Sequence, residues 1–428
     1  MRIKLKNIAK VKTADIDING ITVIAGDNNT GKSTIGKALF SVFNGLNDVE
    51  SKHFEDKYKS LVNAINKLHL YLHYEHIRYK TSLKSDDFNV HESNVINDLL
   101  SISSNDPDLE LKIELVLKRN FNYAALENNE LDFWADVINE IKAILKIDTN
   151  KYINYLISEQ FRNEFNRQIV NIFEESSGVV HVELGKQNII IDVDSDNTVS
   201  INNFSWTDIK VEPIYIDNPF IIDDVFRGPF VDFSTYKNHR RNLLSQLITN
   251  KSINQIDSII NSNKLNRIMD SINEIIPGEI DLSEGGLSYV YNQKRLDVKN
   301  LSTGIKTFAI LKRLILGGYI STKGILILDE PEIHLHPEWQ LVLAELIVLL
   351  QREFNLYILI TTHSPYFLNA IEVYVAKHNI NDKCKYYLSK FVENSESVTF
   401  YDVSNEIDLI YKKLVKPLQQ LENLRYRL

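Results

Sequence analysis

The chain has 428 residues and a net charge of −9, with 44% hydrophobic and 25% charged residues. Those proportions suit a globular chain with a core of ordinary size, and the acidic balance argues against a broadly basic nucleic-acid surface, which needs clustered Lys and Arg. Cys384 is the single cysteine, so neither an intrachain disulfide nor a cysteine-based zinc site can form. A reducing cytoplasm fits, the opening MRIKLKNIAK lacks the apolar stretch of a signal peptide, and no apolar run approaches the ~20 residues that cross a bilayer.

In chain order, Ile3, Leu5 and Ile8 alternate, a turn follows at Asn19-Gly20, and Ile21-Thr22-Val23-Ile24 reads as a buried strand. A glycine loop leads into a helix over 32–43, with Ile35, Leu39 and Phe43 at helical spacing. Residues 48–177 are rich in Asn, Asp, Lys and Leu and contain amphipathic pieces over 58–72 and 133–145, broken at Ser103–Pro107, so a helical insertion is expected. No heptad persists over three or four repeats, so a long coiled coil is not expected. VVHVEL, NIIIDV and TVSINNF then alternate as a β-meander, and residues 211–216 give a further strand that ends at Asp217-Asn218-Pro219. Helical patterning returns over 234–276. A strand pair is expected at 287–291 and 295–298, a helix at 301–316, a buried strand at 324–328, a helix at 337–354 and a strand at 356–361. The tail is expected to hold strands near Tyr374 and over 386–392 and 398–401, then one helix from Asn405 to about Arg425.

Gly26-Asp27-Asn28-Asn29-Thr30-Gly31-Lys32-Ser33 fits the spacing G-x-x-x-x-G-K-[ST] and continues into Thr34. Glycines let the backbone curl so that its N–H groups face phosphate oxygens, and the following helix adds its positive end. Lys32 is expected on the β- and γ-phosphates of ATP and Ser33 on Mg²⁺, with Gly26, Asn28, Asn29, Thr30, Gly31 and Thr34 completing the nucleotide-binding loop. Far downstream, Ile325-Leu326-Ile327-Leu328-Asp329-Glu330 is an apolar strand ending in two carboxylates. Asp329 is expected to bind Mg²⁺ directly or through water, and Glu330 to polarise the attacking water.

Asn300-Leu301-Ser302-Thr303-Gly304 resembles the signature motif of ABC-type ATPases, with Thr303 at a position usually held by a small residue. The segment GILILDEPEIHLHPEWQ resembles the branch shared by SMC-like, OLD-type and related bacterial defence ATPases, and Ile360–Pro365 resembles their switch-histidine loop around His363. The matched pieces cover 1–45 and 296–370. The resemblance implies an α/β fold: an ABC-type P-loop ATPase head with a β-meander subdomain and a large helical insertion. It divides as core 1–47, insertion 48–177, β-subdomain 178–219, helical lobe 220–286 and core 287–428. It further implies an ATP-bridged pair of chains, in which Leu301, Ser302, Thr303 and Gly304 of one copy cap the γ-phosphate held by Lys32 of the other, with Glu330 and His363 catalytic. A plainer reading makes Ser302 a helix N-cap, and both can hold together. His334 and His336 are read as packed D-loop residues rather than a metal pair. No Q-loop glutamine is evident, and Asp217-Asn218-Pro219 stand in its place.

This resemblance extends to ATPase subunits of anti-phage systems of the Septu, retron-associated and PARIS types. It implies a homo-oligomer that controls or scaffolds a separate effector, a nuclease or toxin. The alternative is an SMC-like ATPase of DNA repair or chromosome handling, in which DNA or RNA would be a partner although charge does not indicate it. An OLD-type nuclease with its own Toprim domain is not expected, because few residues follow His363. No membrane partner is expected.

Overall fold

The structure, a computed structural model, describes residues 1–79, 92–121, 128–174, 176–204, 210–225, 237–251, 255–283 and 286–425. The chain forms two compact units, Met1–Asn47 with Ile157–Leu428, and Asp48–Leu156. The smaller unit begins where the helical insertion is expected to begin and closes earlier than residue 177.

The larger unit opens with β1 (Arg2–Ile8), β2 (Val11–Asp17), β3 (Ile21–Ala25) and α1 (Lys32–Leu46). Burial alternates along β1 and β2 and is complete along β3, the difference between a strand with one wet face and one covered on both. The smaller unit holds α2 (Val49–Tyr79), α3 (Glu92–Leu100), α4 (Leu109–Asn120) and α5 (Asn128–Leu145), and α6 (Thr149–Glu164) crosses the division in sequence. Its core follows helical spacing. Leu61, Ile65, Leu68 and Leu72 of α2 are buried with Leu109, Ile113 and Leu117 of α4 and with Val137, Ile141 and Leu145 of α5. Tyr71 stacks on Phe133 at 3.9 Å between centroids.

The larger unit continues through β4 (Gly178–Leu184), β5 (Gln187–Val193), β6 (Val199–Phe204), β7 (Ile214–Ile216), α7 (His239–Ile248), α8 (Gln255–Asn273), β8 (Glu279–Ser283), β9 (Gly286–Tyr291), β10 (Lys294–Asp297), α9 (Thr303–Leu316), β11 (Ile325–Asp329), α10 (Pro337–Phe354), β12 (Tyr357–Thr362), α11 (Pro365–Lys377), β13 (Cys384–Phe391), β14 (Val398–Asp402), α12 (Asp408–Leu414) and α13 (Lys416–Arg425). Eleven strands form one mixed sheet in the order β6-β5-β4-β1-β2-β14-β13-β3-β12-β11-β7. Its β6-β5-β4-β1-β2 part is an antiparallel meander. Its β13-β3-β12-β11-β7 part is parallel throughout. This α/β arrangement, a mixed sheet with helices such as α1 and α10 packed by buried apolar faces, is the expected fold class.

The parallel register brings four strand ends level. Ala25 pairs with Thr362, Thr361 with Asp329, and Leu328 with Ile216. From β3 the parallel part continues at β7 on one side, and from the neighbouring β12 it continues at β13 on the other, so these adjacent strands are left in opposite directions. Open α/β sheets bind ligands beyond the carboxyl ends of their strands at such a switch point. Gly26, Asp217, Glu330 and His363 each follow one of these ends directly.

Three expectations need correction. No strand forms near Tyr374, because Ser364 accepts a bond from the Phe367 N–H and Pro365 opens a helix. Phe367, Leu368, Ile371 and Val375 then share its buried face. The expected strand pair at 287–298 is a three-stranded sheet, because β8 joins it. The single C-terminal helix is two, α12 and α13, meeting at Val415. Pro417 cannot donate a backbone bond to Lys413 and its ring clashes with that turn.

Candidate nucleotide site

The loop after β3 is curled by its backbone. Gly26 has φ 155° and Gly31 φ 67°, and Asn29 joins the left-handed region at φ 64°. Glycine at 26 is also demanded by space, since a Cβ there would lie 1.9 Å from the Ser389 Oγ. Ser389, on the neighbouring β13, lies within 2.7 Å of the Thr30 hydroxyl, which is itself 2.7 Å from the Asp27 carbonyl. Thr30 is fully buried, so its side chain braces the loop from behind. Asn28 and Asn29 are exposed, Ser33 is half-buried and Thr34 is buried with its N–H donating to the Gly31 carbonyl at 3.0 Å.

Lys32 turns inward, and its side chain is 4% exposed. Its Nζ donates to the Asp27 carbonyl at 2.9 Å and to that of Gly26 at 3.4 Å, and lies 3.7 Å from Glu330 Oε1 and 3.1 Å from His363 Nε2. Burial lowers the Lys32 pKa, and the Coulombic pull of Glu330, Asp329, Asp27 and Glu332 opposes this. His363 meets Glu330 through Nε2 and lies 2.8 Å from the Gly26 carbonyl through Nδ1, which makes that nitrogen a donor. Its hydrogen bond to His363 holds the Glu330 carboxyl below the usual carboxylate range, burial opposes this, and the charges of His363 and Lys32 reinforce it.

Glu330 sits at φ 51°, uncommon for a side chain of its size. Its N–H donates to the Thr361 carbonyl and hydroxyl, both at 3.1 Å. The Asp329 carboxylate accepts from the Thr361 hydroxyl and from the Tyr215 hydroxyl at 3.3 Å. Asp329 and Glu330 therefore diverge from one strand end, one toward β7 and one toward Lys32.

Glu332, in the segment GILILDEPEIHLHPEWQ, organises the loop after β12. It is 3% exposed. One carboxylate oxygen accepts from the Thr362 hydroxyl, the His363 N–H at 3.1 Å and the Ser364 N–H at 3.3 Å. Burial raises its pKa against those hydrogen bonds.

Behind Asp329 lies a buried ladder that sequence reasoning did not find. Tyr215 stacks on His239 at 4.1 Å between centroids. His239 Nδ1 is 2.8 Å from Glu164, and Nε2 is 3.2 Å from Asp217, which Arg240 also grips at 2.7 and 3.0 Å. Burial opposes a charge on His239, but its hydrogen bonds and charge interactions with Asp217 and Glu164 raise its pKa to about 9. Asp217 is likewise opposed by burial and held down at about 2 by His239 and Arg240. Asn218 accepts from the Phe220 N–H at 2.9 Å. Both polar side chains are thus spent locally, which leaves Asp217-Asn218-Pro219 a poor substitute for a Q-loop.

Ser302 occupies the N-cap position of α9 without a side-chain capping bond, and it is exposed. Leu301 is buried and Thr303 half-buried. Gly304 has a packing reason of its own, since a Cβ would lie 2.9 Å from the Trp339 ring. Among the described residues, no hydrogen bond or ion pair joins 301–304 to the Lys32 cluster. The reading of His334 and His336 as packed residues is corrected: both are exposed, and Leu335 between them is the buried one. Among the described residues, no helix is long and apolar enough to cross a membrane.

The Retron Vc95 probable ATPase of Vibrio cholerae serotype O1 biovar El Tor is 23% identical over 400 residues, covering 86% of this chain and 70% of that protein. The Retron Ec83 probable ATPase of Escherichia coli is 32% identical over 128 residues, covering 26% of this chain and 23% of that protein. Among solved structures, the Smc head bound to the C-terminal winged-helix domain of ScpA covers 95% of this chain and 98% of its own, at 13% identity and a TM-score of 0.45. The SMC head domain from Thermotoga maritima covers 94% and 98%, at 13% identity and a TM-score of 0.38. Likeness at those scores adds nothing to what the sheet order shows. A family model described as the AAA ATPase domain matches residues 1–368. That match takes in both the glycine loop and the switch histidine, and the chain belongs to the AAA ATPase domain family.

Proposed function

We propose that this protein binds ATP with Mg²⁺ and hydrolyses it. The observation that carries this is the meeting of Lys32, Glu330 and His363 at the level ends of β3, β11 and β12. In this reading Gly26 and residues 28–34 cradle the phosphates, Lys32 binds the β- and γ-phosphates, and Ser33 and Asp329 hold the metal. The donor set fits: two oxygens suit Mg²⁺, and Thr361 and Tyr215 orient the Asp329 carboxylate as outer partners orient a ligand. Mg²⁺ supplies charge neutralisation at the β- and γ-oxygens. Glu330, held as a carboxylate by His363 and Lys32, polarises water toward the γ-phosphate, and His363 senses that phosphate beside it.

Ser302, uncommitted at a helix N-terminus, supports the further reading that Leu301–Gly304 of a second copy closes over the nucleotide. ATP would then control assembly of a homo-oligomer and its grip on a separate nuclease or toxin in anti-phage defence. Relatives described as retron probable ATPases support this. An SMC-like, DNA-associated role is the second reading, and it is favoured by the cationic cavity described below. Isothermal titration with ATP tests the core claim. Lys32→Ala should abolish binding. Glu330→Gln should bind normally and turn over ~10²-fold or more slowly. Undiminished affinity in the first, or wild-type turnover in the second, removes the assignment.

A further inference from the structure

We propose that a second anion site, for phosphate groups, lies in a cavity of about 630 Å³ between the end of α6, the β5–β6 turn and the start of α7. Among the described residues its lining carries four cations, Arg162, Arg167, Lys237 and Arg241, against two carboxylates, Glu159 and Asp196. The carboxylates are already engaged. Glu159 pairs with Arg162 at 3.2 Å, and Asp196 accepts from the Thr198 N–H at 3.1 Å and hydroxyl at 3.0 Å within its own turn. Among the described residues, Arg167, Lys237 and Arg241 have no side-chain ion pair or hydrogen bond, and all three are exposed. Three unneutralised cations around one cavity are unexpected in a chain of net charge −9.

The walls are tied together. Asn197 Oδ1 accepts from the N–H groups of Ile169 at 2.6 Å and Val170 at 2.9 Å, joining the turn to the segment after α6. Glu164 holds both the backbone N–H and the ring of His239, joining α6 to the first turn of α7. These ties fix the backbone walls, so binding orders chiefly the side chains of Arg167, Lys237 and Arg241. Among the described residues the lining is entirely polar or charged, which suits an anion's oxygens. Two of the three free cations are guanidinium forks, which match phosphate oxygens in pairs. The phosphate can come from a nucleic-acid strand or from a free nucleotide.

The site stands apart from the ATPase reading, and the test is run in the Lys32→Ala protein to silence the glycine loop. The probes are a fluorescent single-stranded oligonucleotide with a 5′-phosphate, its 5′-hydroxyl counterpart, and ADP. Binding of the 5′-phosphorylated strand is expected, with a log–log salt slope of about −2 from three cations at ~0.7 each. Arg167→Gln with Arg241→Gln should weaken it at least tenfold without changing the melting temperature. Equal affinity of the 5′-hydroxyl strand, lost in the same variant, assigns internal phosphates. ADP bound in its place, and lost in the same variant, assigns a free nucleotide. Affinity indifferent to Arg167 and Arg241, or no binding of any probe at low salt, overturns the site. Residual ADP binding that ignores these arginines would instead indict the role given to Lys32.

Discussion

Substituting His239 by Gln removes one charge from a buried cluster, and the cost should depend on pH in a defined window. The His239 side chain is 3% exposed and faces Glu164, 0% exposed, and Asp217, 16% exposed. Arg240 and Tyr215 complete its surroundings. Its pKa stands at about 9 in the fold, burial being outweighed by the two carboxylates, against an ordinary value of 6.5. A group whose pKa rises on folding contributes its stability in full below the unfolded value, and loses it as pH rises through the folded one. The whole shift corresponds to about 3 kcal/mol, and linkage places about 2 kcal/mol of it between pH 7 and pH 9. Asp217, held at about 2 against burial by His239 and Arg240, does not titrate in that window. Urea denaturation of the wild type and of His239→Gln at pH 7, 8 and 9 gives the difference directly. The wild type should lose ~2 kcal/mol more than the variant across the range. Parallel stability curves would mean that His239 is not charged between its two carboxylates, and the ladder behind Asp329 would lose its central ion.

Glu332→Ala strips one acceptor from three donors, of which buried examples cost ~1–3 kcal/mol each when left unpaired. A loss of ~3 kcal/mol or more in thermal melting is expected, while Glu332→Gln, which keeps an acceptor oxygen, should melt close to wild type. Tyr215→Phe removes the hydroxyl on Asp329 and should change stability by about 1 kcal/mol or less, yet raise the Mg²⁺ concentration needed for half-maximal ATP hydrolysis. An unchanged Mg²⁺ dependence would detach Tyr215 from the metal side of the site. Ser302→Arg should block ATP-dependent self-association on a sizing column and spare ATP binding. Association at the wild-type level would count against completion of the site by a second copy.

Much of this site is legible in sequence because its main residues sit beside unmistakable punctuation. The β-branched run 21–24 and the glycines at 26 and 31 announce strand, curl and helix together. ILILDE announces a buried strand that must end in solvent or on a metal. What escaped has a common cause. Ser389 matters because β13 inserts beside β3, and strand order across a sheet leaves no local trace. Tyr215 lies in a strand of three residues, and its value comes from pairing with Ile327, two residues before Asp329 on the same face of β11. Glu164 and His239 are far apart in sequence and meet only through packing. Glu332 was visible as a residue, but a carboxylate beside a proline reads as solvated surface until burial and three donors show otherwise. The helix at 365–377 was missed because Tyr374, Val375 and their neighbours favour strands, while the Ser-Pro start that decides the matter lies a full nine residues upstream of Tyr374.

The loop after β7 carries the last consequence. Here Asp217 is locked by Arg240 and His239, and Asn218 caps its own turn. The hydrogen bond from β7 to the Asp329 carboxylate is made two residues before Asp217, by Tyr215. Tyr215 is fully buried, and burial with the nearby charge of Asp329 raises its pKa well above the ordinary range, so its hydroxyl stays a donor. Its ring rests on His239, and His239 heads α7. Asp329 is thus joined to the head of α7 by a hydrogen bond and a stacked pair. α7 also carries Arg241 at the cationic cavity. If the glycine loop takes ATP as proposed, a shift of Asp329 on binding is expected to move α7 as a packed element, and hydrogen exchange in 239–248 with and without ATP measures it.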